Sequence, residues 1–172
     1  SHMAEAVRQS EVARPYLSGD TEKTRYFDWY GRKCRATPDV RGDGFVTELK
    51  TAATSDPSRF VWHALRRQYN AQLRLQQIAY GAKLTELDAY IVCVESAPPF
   101  PVTVFHLEQR ALEFGEKSLC LWMERLKTCE ASGRYPPYVE CVVPLDAPEE
   151  LELEYEGDDS VADPQAKYGL QP

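Results

Sequence analysis

The chain is 172 residues long, with 43% hydrophobic and 27% charged residues and a net charge of −7. That is the balance of one soluble globular domain with a core of its own; no apolar run approaches the roughly 20 residues of a membrane-spanning helix, and no secretory signal is visible. The cysteines, Cys34, Cys93, Cys120, Cys129 and Cys141, are odd in number, scattered and without a C-x-x-C spacing. They argue against a disulfide framework and for reduced, mostly buried thiols in a cytoplasmic protein.

Ser1-His2-Met3 reads as a tag remnant, and residues 4–25 as a polar, partly helical arm interrupted by Pro15 and Ser18-Gly19-Asp20. Beyond it the charge is unevenly spread. From Lys23 to Tyr80 there are 11 Lys and Arg against 5 Asp and Glu; from Leu145 to Pro172 there are 9 Asp and Glu against one Lys. The acidic total hides a basic stretch, of the kind a groove that follows phosphates uses.

Within that stretch lies Pro38-Asp39-Val40-Arg41-Gly42-Asp43-Gly44-Phe45-Val46-Thr47-Glu48-Leu49-Lys50. Its Gly-Asp-Gly turn predicts a β-hairpin. On the second strand Phe45, Thr47 and Leu49 face one way, and Val46, Glu48 and Lys50 the other. Folding the hairpin brings the carboxylates of Asp39 and Glu48 together, with Lys50 beside them. Two carboxylates and an ammonium suit Mg²⁺, which takes oxygen ligands, keeps several waters and is usually held by one or two carboxylates plus substrate phosphate. Lys50 would orient or deprotonate the attacking water, or neutralise charge on the phosphate. An ordinary hairpin with a surface Glu–Lys pair has the same spelling, so the flanks must decide.

Asp56-Pro57 is a helix start, with Asp as N-cap and Pro in the first turn. A stripe at steps of three and four, Val61, Leu65, Tyr69, Gln72, Gln76 and Ala79, predicts a helix from there onward. Its two glutamines call for partners, because buried amides are hydrogen-bonded. Residues 89–95 and 101–105 read as a second hairpin around Pro98-Pro99, with Glu95 a polar strand end and His106 a structural histidine. Leu112, Gly115, Leu119, Trp122, Leu126 and Cys129 predict a helix with one packed face. Gly133-Arg134-Tyr135-Pro136-Pro137-Tyr138 closes the domain, and residues 146–172 read as an acidic, mobile tail.

The run Gly31-Arg32-Lys33-Cys34-Arg35-Ala36-Thr37-Pro38-Asp39 is followed by Glu48-Leu49-Lys50-Thr51 and Ser55-Asp56-Pro57-Ser58-Arg59-Phe60. Tyr69-Asn70-Ala71-Gln72, Tyr90-Ile91-Val92-Cys93-Val94-Glu95 and Pro101-Val102-Thr103-Val104 continue the series. In that order the runs resemble the PD-(D/E)XK nuclease superfamily, and within it the RecE-type exodeoxyribonuclease VIII nuclease domain, a relative of RecB-type nucleases. The resemblance implies an α/β fold with a restriction-endonuclease-like core, a central mixed β-sheet flanked by helices. Residues 26–145 would be the nuclease domain, between the arm of residues 1–25 and the tail of 146–172.

The activity implied is that of a Mg²⁺-dependent deoxyribonuclease, with Mn²⁺ as a substitute. It would be an exonuclease on double-stranded DNA ends in recombination, repair or phage replication, cytoplasmic and of bacterial or phage origin. Asp39, Glu48 and the Leu49 carbonyl would hold the metal, Lys50 would assist the water, and Gln72 would orient the site. Tyr69, Lys33 and Arg35 would meet the DNA. Counting from Phe60 in the family register selects Gln72; the rival register, Gln76 with Tyr80, fits the local spelling. The four-cysteine spacing of the iron–sulfur cluster in some RecB-type nucleases is absent. RecE-type enzymes form rings, which leaves room for a homo-oligomer and for a single-strand annealing partner. These nucleases also carry an upstream metal-binding histidine. Only 38 residues precede Asp39, so truncation, replacement by an N-terminal acid such as Glu11, and an incomplete metal site all stay open. Two other readings stand beside the exonuclease: a non-catalytic DNA-binding or assembly module on the same fold, and a restriction-like endonuclease.

Overall fold

The sheet is built on β5 (Phe45–Ala52), whose β-branched and aromatic residues suit a pleated, half-buried surface. A two-residue turn at Asp43-Gly44, with Gly44 at φ +79°, folds β4 (Val40–Gly42) back antiparallel on it, as such turns require positive φ. On its other side β5 runs parallel to β6 (Asp88–Glu95), in register Glu48 to Ile91 and Lys50 to Cys93. A parallel pair needs a long crossover, supplied here by α2 (Pro57–Arg66) and α3 (Tyr69–Ala79). β7 (Val102–His106) and β1 (Asp20–Thr21) close the edges, giving the order β1-β4-β5-β6-β7. A separate hairpin, β2 (Arg25–Trp29) with β3 (Arg32–Ala36), stands beside this sheet. The architecture is the mixed α/β sheet with flanking helices that the sequence predicts.

The computed structural model describes residues 1–142 and 144. Ser1–Gly133 form one unit and the chain from Arg134 another. In the second, Arg134 Nη2 donates to Glu140 Oε1 at 2.8 Å; the predicted acidic tail, 146–172, lies outside the described residues.

Each face of the sheet carries its own core. Val46, Ala89, Ile91 and Cys93 pack with Phe60, Leu73 and, from α4 (Gln109–Ser132), Leu112. On the opposite face Val92 and Val94 meet Val7 of α1 (His2–Gln9) and Ala13, with Tyr16 and Leu17 of a short 3₁₀ turn packed against them. Tyr16 lies 4.1 Å from Tyr90, ring to ring. The N-terminal residues that read as a polar arm are therefore a layer of the fold.

Two helices differ from their predicted form. The stripe from Val61 to Ala79 is carried by two helices, because Gln68 adopts the left-handed conformation at φ +58° between them. In α4 the packed face ends at Leu119, and Trp122 and Leu126 are 46% and 37% exposed. Two single residues hold as structural groups. Glu95 Oε1 accepts from Ser55 N at 2.6 Å and from Ser55 Oγ, and His106 lies against Tyr90 with Nε2 3.2 Å from Asp88 Oδ1.

α3 is buried on several sides, which is why its polar residues have partners. Arg74 Nε donates to Glu116 Oε2 of α4 at 3.0 Å, and its Nη1 donates to Gln77 Oε1 and to Ala82 O. Asn70 Nδ2 donates to Ala111 O at 3.0 Å. The two helices cross at Gly115, where a Cβ would come within 2.6 Å of Asn70 O and 2.8 Å of Ala71 N. These are backbone atoms at the head of α3, so the clash is relieved only by moving the helix. Gly115→Ala should lower stability by about 1–3 kcal/mol, the usual range for overpacking. Denaturant unfolding of the variant beside the wild type checks this; an unchanged midpoint would mean that α4 gives way freely.

Candidate active site

β5 and α3 together place the site. One step beyond the pair Val40–Thr47, the hairpin register sets Asp39 directly opposite Glu48. β4 has no pairing there, so the next backbone N–H of β5 is unpaired, and Asp39 Oδ2 accepts it, from Leu49 N at 2.7 Å. By the alternation of an antiparallel ladder, the Leu49 carbonyl turns to this same edge. The Glu48 and Lys50 side chains both turn to the α3 face, and Lys50 Nζ donates to Glu48 Oε2 at 2.7 Å.

α3 runs antiparallel over β5. Four helix residues advance about 6 Å and two strand residues about 6.6 Å, so the two rows stay in step. Tyr69 lies over Lys50, its ring centroid 4.8 Å from Nζ. Gln72 comes next. Its Nε2 donates to Glu48 Oε2 at 2.7 Å and its Oε1 accepts from Lys50 Nζ at 3.0 Å, which closes a triangle of acid, amine and amide. One turn on, Gln76 Nε2 donates to Glu48 Oε1. Gln72 and Gln76, rival registers in the sequence, both bind the same carboxylate. Gln76 is the site contact that choosing Gln72 alone misses, and its spacing of four from Gln72 on one face is the signal that finds it.

Glu48 is 2% exposed yet has three donors, as a buried carboxylate requires. Of the triangle, Gln72 is exposed and Lys50 keeps partial solvent access, its side chain 17% exposed. Cys93, beside Lys50 in the β5–β6 register, has its thiol pushed up to about 11, chiefly by burial and then by Glu95. It therefore sits there neutral. A cleft of about 460 Å³ is lined by Leu49, Lys50 and Thr51 of β5 and, from α1, Val7 and Arg8.

Lys33 and Arg35 stand apart from this cluster. In β3 they alternate with Arg32, Cys34 and Ala36, and strand alternation turns them to the exposed side of the hairpin. There Lys33 Nζ pairs with Asp28 at 2.8 Å. Nor does Glu11 join the two acids: among the described residues no group of three or more His, Cys, Asp or Glu is gathered at one place.

The donor set remaining is two carboxylates and a strand carbonyl. A carboxylate offers about four acceptor positions; Glu48 uses three and Asp39 one. Both keep capacity for a cation, and Mg²⁺ needs no more than one or two carboxylates because it keeps several waters. The residues present fit such an ion.

A family model, the PDDEXK-like domain of unknown function (DUF3799), matches residues 1–143. The chain belongs to this PDDEXK-like family. Pro38-Asp39 and Glu48-Leu49-Lys50 spell the letters of its name. Among solved structures, that of a "Putative exonuclease" from Eubacterium rectale superposes with a TM-score of 0.58 at 13% identity, over 88% of this chain and 62% of that one. This chain thus spans less than two thirds of that protein, and the likeness is one of fold: the five-stranded mixed sheet flanked by helices is a restriction-endonuclease-like core. A second structure, that of SSO0001, overlaps 69% of this chain and 58% of its own at a TM-score of 0.36 and 17% identity, too low to bear on the fold. No curated protein matches the sequence.

Proposed function

We propose that this PDDEXK-like chain is a Mg²⁺-dependent deoxyribonuclease, hydrolysing phosphodiester bonds from the ends of double-stranded DNA in recombination, repair or phage replication. The observation that carries the reading is the buried Glu48 held by Lys50, Gln72 and Gln76, with Asp39 opposite it across an unpaired strand edge. An acid buried this deeply costs folding free energy even when paired. Asp39, Glu48 and the Leu49 carbonyl would hold the ion, which when bound supplies an acidified water and charge neutralisation at the phosphate. The chain's own groups do the rest. Lys50 keeps part of its side chain open to solvent, so its ammonium can meet a phosphate oxygen or hold a water's orientation. Gln72, bonded to both Glu48 and Lys50, fixes the spacing between acid and amine, and Tyr69 restricts where the ammonium can swing. Exonuclease action is supported by the name of the Eubacterium rectale relative, and DNA as substrate by the basic excess between Lys23 and Tyr80.

Digestion of linear against covalently closed circular duplex, each with Mg²⁺ and with chelator, tests the reading. Loss of the linear form alone is expected. Equal cutting of the closed circle would make the enzyme an endonuclease; DNA binding without any cutting would leave a binding module.

Lys50→Ala should keep the fold and lower turnover by about 10²-fold or more, the range for loss of one acid–base or charge-stabilising group. Single-turnover cleavage at saturating DNA measures this, and an unchanged rate would remove Lys50 from the chemistry.

A further inference from the structure

One more turn along α3 the row continues past the carboxylates. Tyr80, the C-cap of α3, follows Gln76 by four residues, and Arg41, paired with Val46 in the register, lies two strand residues back from Glu48. The Arg41 guanidinium is 5.1 Å from the Tyr80 ring centroid, and so is that of Arg25 from β2. Two full positive charges thus lie no further apart than twice that distance.

Neither has an anion. Several cations nearby are paired with acids: Lys23 with Asp20, Arg32 with Glu130, Lys33 with Asp28, Arg74 with Glu116 and Lys83 with Glu86. Arg25 and Arg41, by contrast, have no carboxylate within ion-pair distance among the described residues. Arg25 Nε donates only to Ala79 O at 3.0 Å, and Arg41 Nη1 only to Phe45 O at 3.3 Å. Arg41 Nε is fully buried and has no partner at all. Cation–π contact with one ring is weak compensation for two guanidiniums held together, and a buried donor without a partner is a standing cost. An anion with several acceptor oxygens would satisfy both.

We propose that Arg25 and Arg41 form a second phosphate subsite, holding a neighbouring phosphodiester of the same strand whose scissile phosphate faces Asp39 and Glu48. This rests on the nuclease reading above. The spacing suits it: two strand residues, about 6.6 Å, separate the Arg41 position from Glu48 along β5, comparable to the separation of adjacent phosphates on an extended strand. Guanidinium is the group for the task, because its planar fork matches phosphate oxygens in pairs. Such a subsite fixes the direction in which the strand lies across the carboxylates.

The test is equilibrium binding of an end-labelled duplex in chelator, so that no strand is cut. Wild type, Arg25→Gln, Arg41→Gln and the double variant are compared on substrates in which single linkages are replaced by neutral methylphosphonate. Wild type should lose about tenfold in affinity, the worth of a charge-assisted contact, at one linkage next to the scissile one. In the double variant that linkage should become silent, while other linkages keep their effect. The slope of log K against log salt should fall by about 0.7–0.9, one phosphate contact, with the melting temperature unchanged or raised as repulsion is relieved. An identical linkage profile in wild type and double variant overturns the subsite while leaving the nuclease reading intact, as does a lowered melting temperature with an unchanged salt slope. A wild type that binds no DNA overturns both.

Discussion

Asp39→Asn should reduce Mg²⁺-dependent cleavage of linear duplex by about 10³-fold or more, a barrier increase of roughly 4 kcal/mol, while the protein stays folded. The carboxamide keeps an oxygen for Leu49 N, so the strand edge remains satisfied, and what is lost is one of the two negative charges facing the cation. Glu48→Gln should abolish cleavage just as fully, but with a drop in melting temperature. Lys50 Nζ, Gln72 Nε2 and Gln76 Nε2 all donate into that carboxylate. An amide there must turn its own NH₂ toward one of three donors, and it leaves Lys50 without its counter-charge. The pair of variants therefore separates chemistry from folding: equal activity losses, unequal stability losses. In chelator both should bind DNA as well as wild type or better, since repulsion of phosphate is relieved.

Arg74→Ala should be a costly single change to the fold away from the carboxylates. Arg74 is 6% exposed and satisfies Glu116, Gln77 and the Ala82 carbonyl at once. Removing one partner of a buried pair costs about 3–5 kcal/mol, because the other is stranded. The Glu116 side chain is 35% exposed and can turn to water, which puts the loss at the lower end, about 3 kcal/mol. Arg74→Met, of similar length and without the charge, should lose less. Urea unfolding of both variants measures the difference, and midpoints within error of wild type would mean that α3 is held by apolar packing alone. Because α3 also carries Gln72 and Gln76, the Ala variant should lose cleavage activity at temperatures well below its melting point.

Legibility in the sequence followed the range of the forces involved. The β4–β5 hairpin could be read because its determinants are local: a Gly-bearing turn and a strict period of two, which together set Asp39 opposite Glu48. The mixed α/β sheet was implied by the family resemblance that the ordered runs carry. The break at Gln68 carried no signal, since a glutamine in the left-handed region is imposed by tertiary packing on both sides of it. α1 was equally hidden: it buries Val7 alone, too little periodicity to distinguish a core layer from a polar arm. Lys33 and Arg35 drew attention by proximity in sequence to Asp39, but alternation along β3 turns them outward. Gln76 was visible as a buried amide in need of a partner, and it was passed over because one glutamine was expected where the geometry uses two.

The most direct test of the central claim, that this cluster is a metal-dependent phosphodiester hydrolysis site, is a single time course. End-labelled linear duplex is incubated with wild type and Asp39→Asn, in Mg²⁺ and in chelator. Product should accumulate only with wild type in Mg²⁺. Cleavage by wild type in chelator, or by Asp39→Asn at the wild-type rate, would contradict the account.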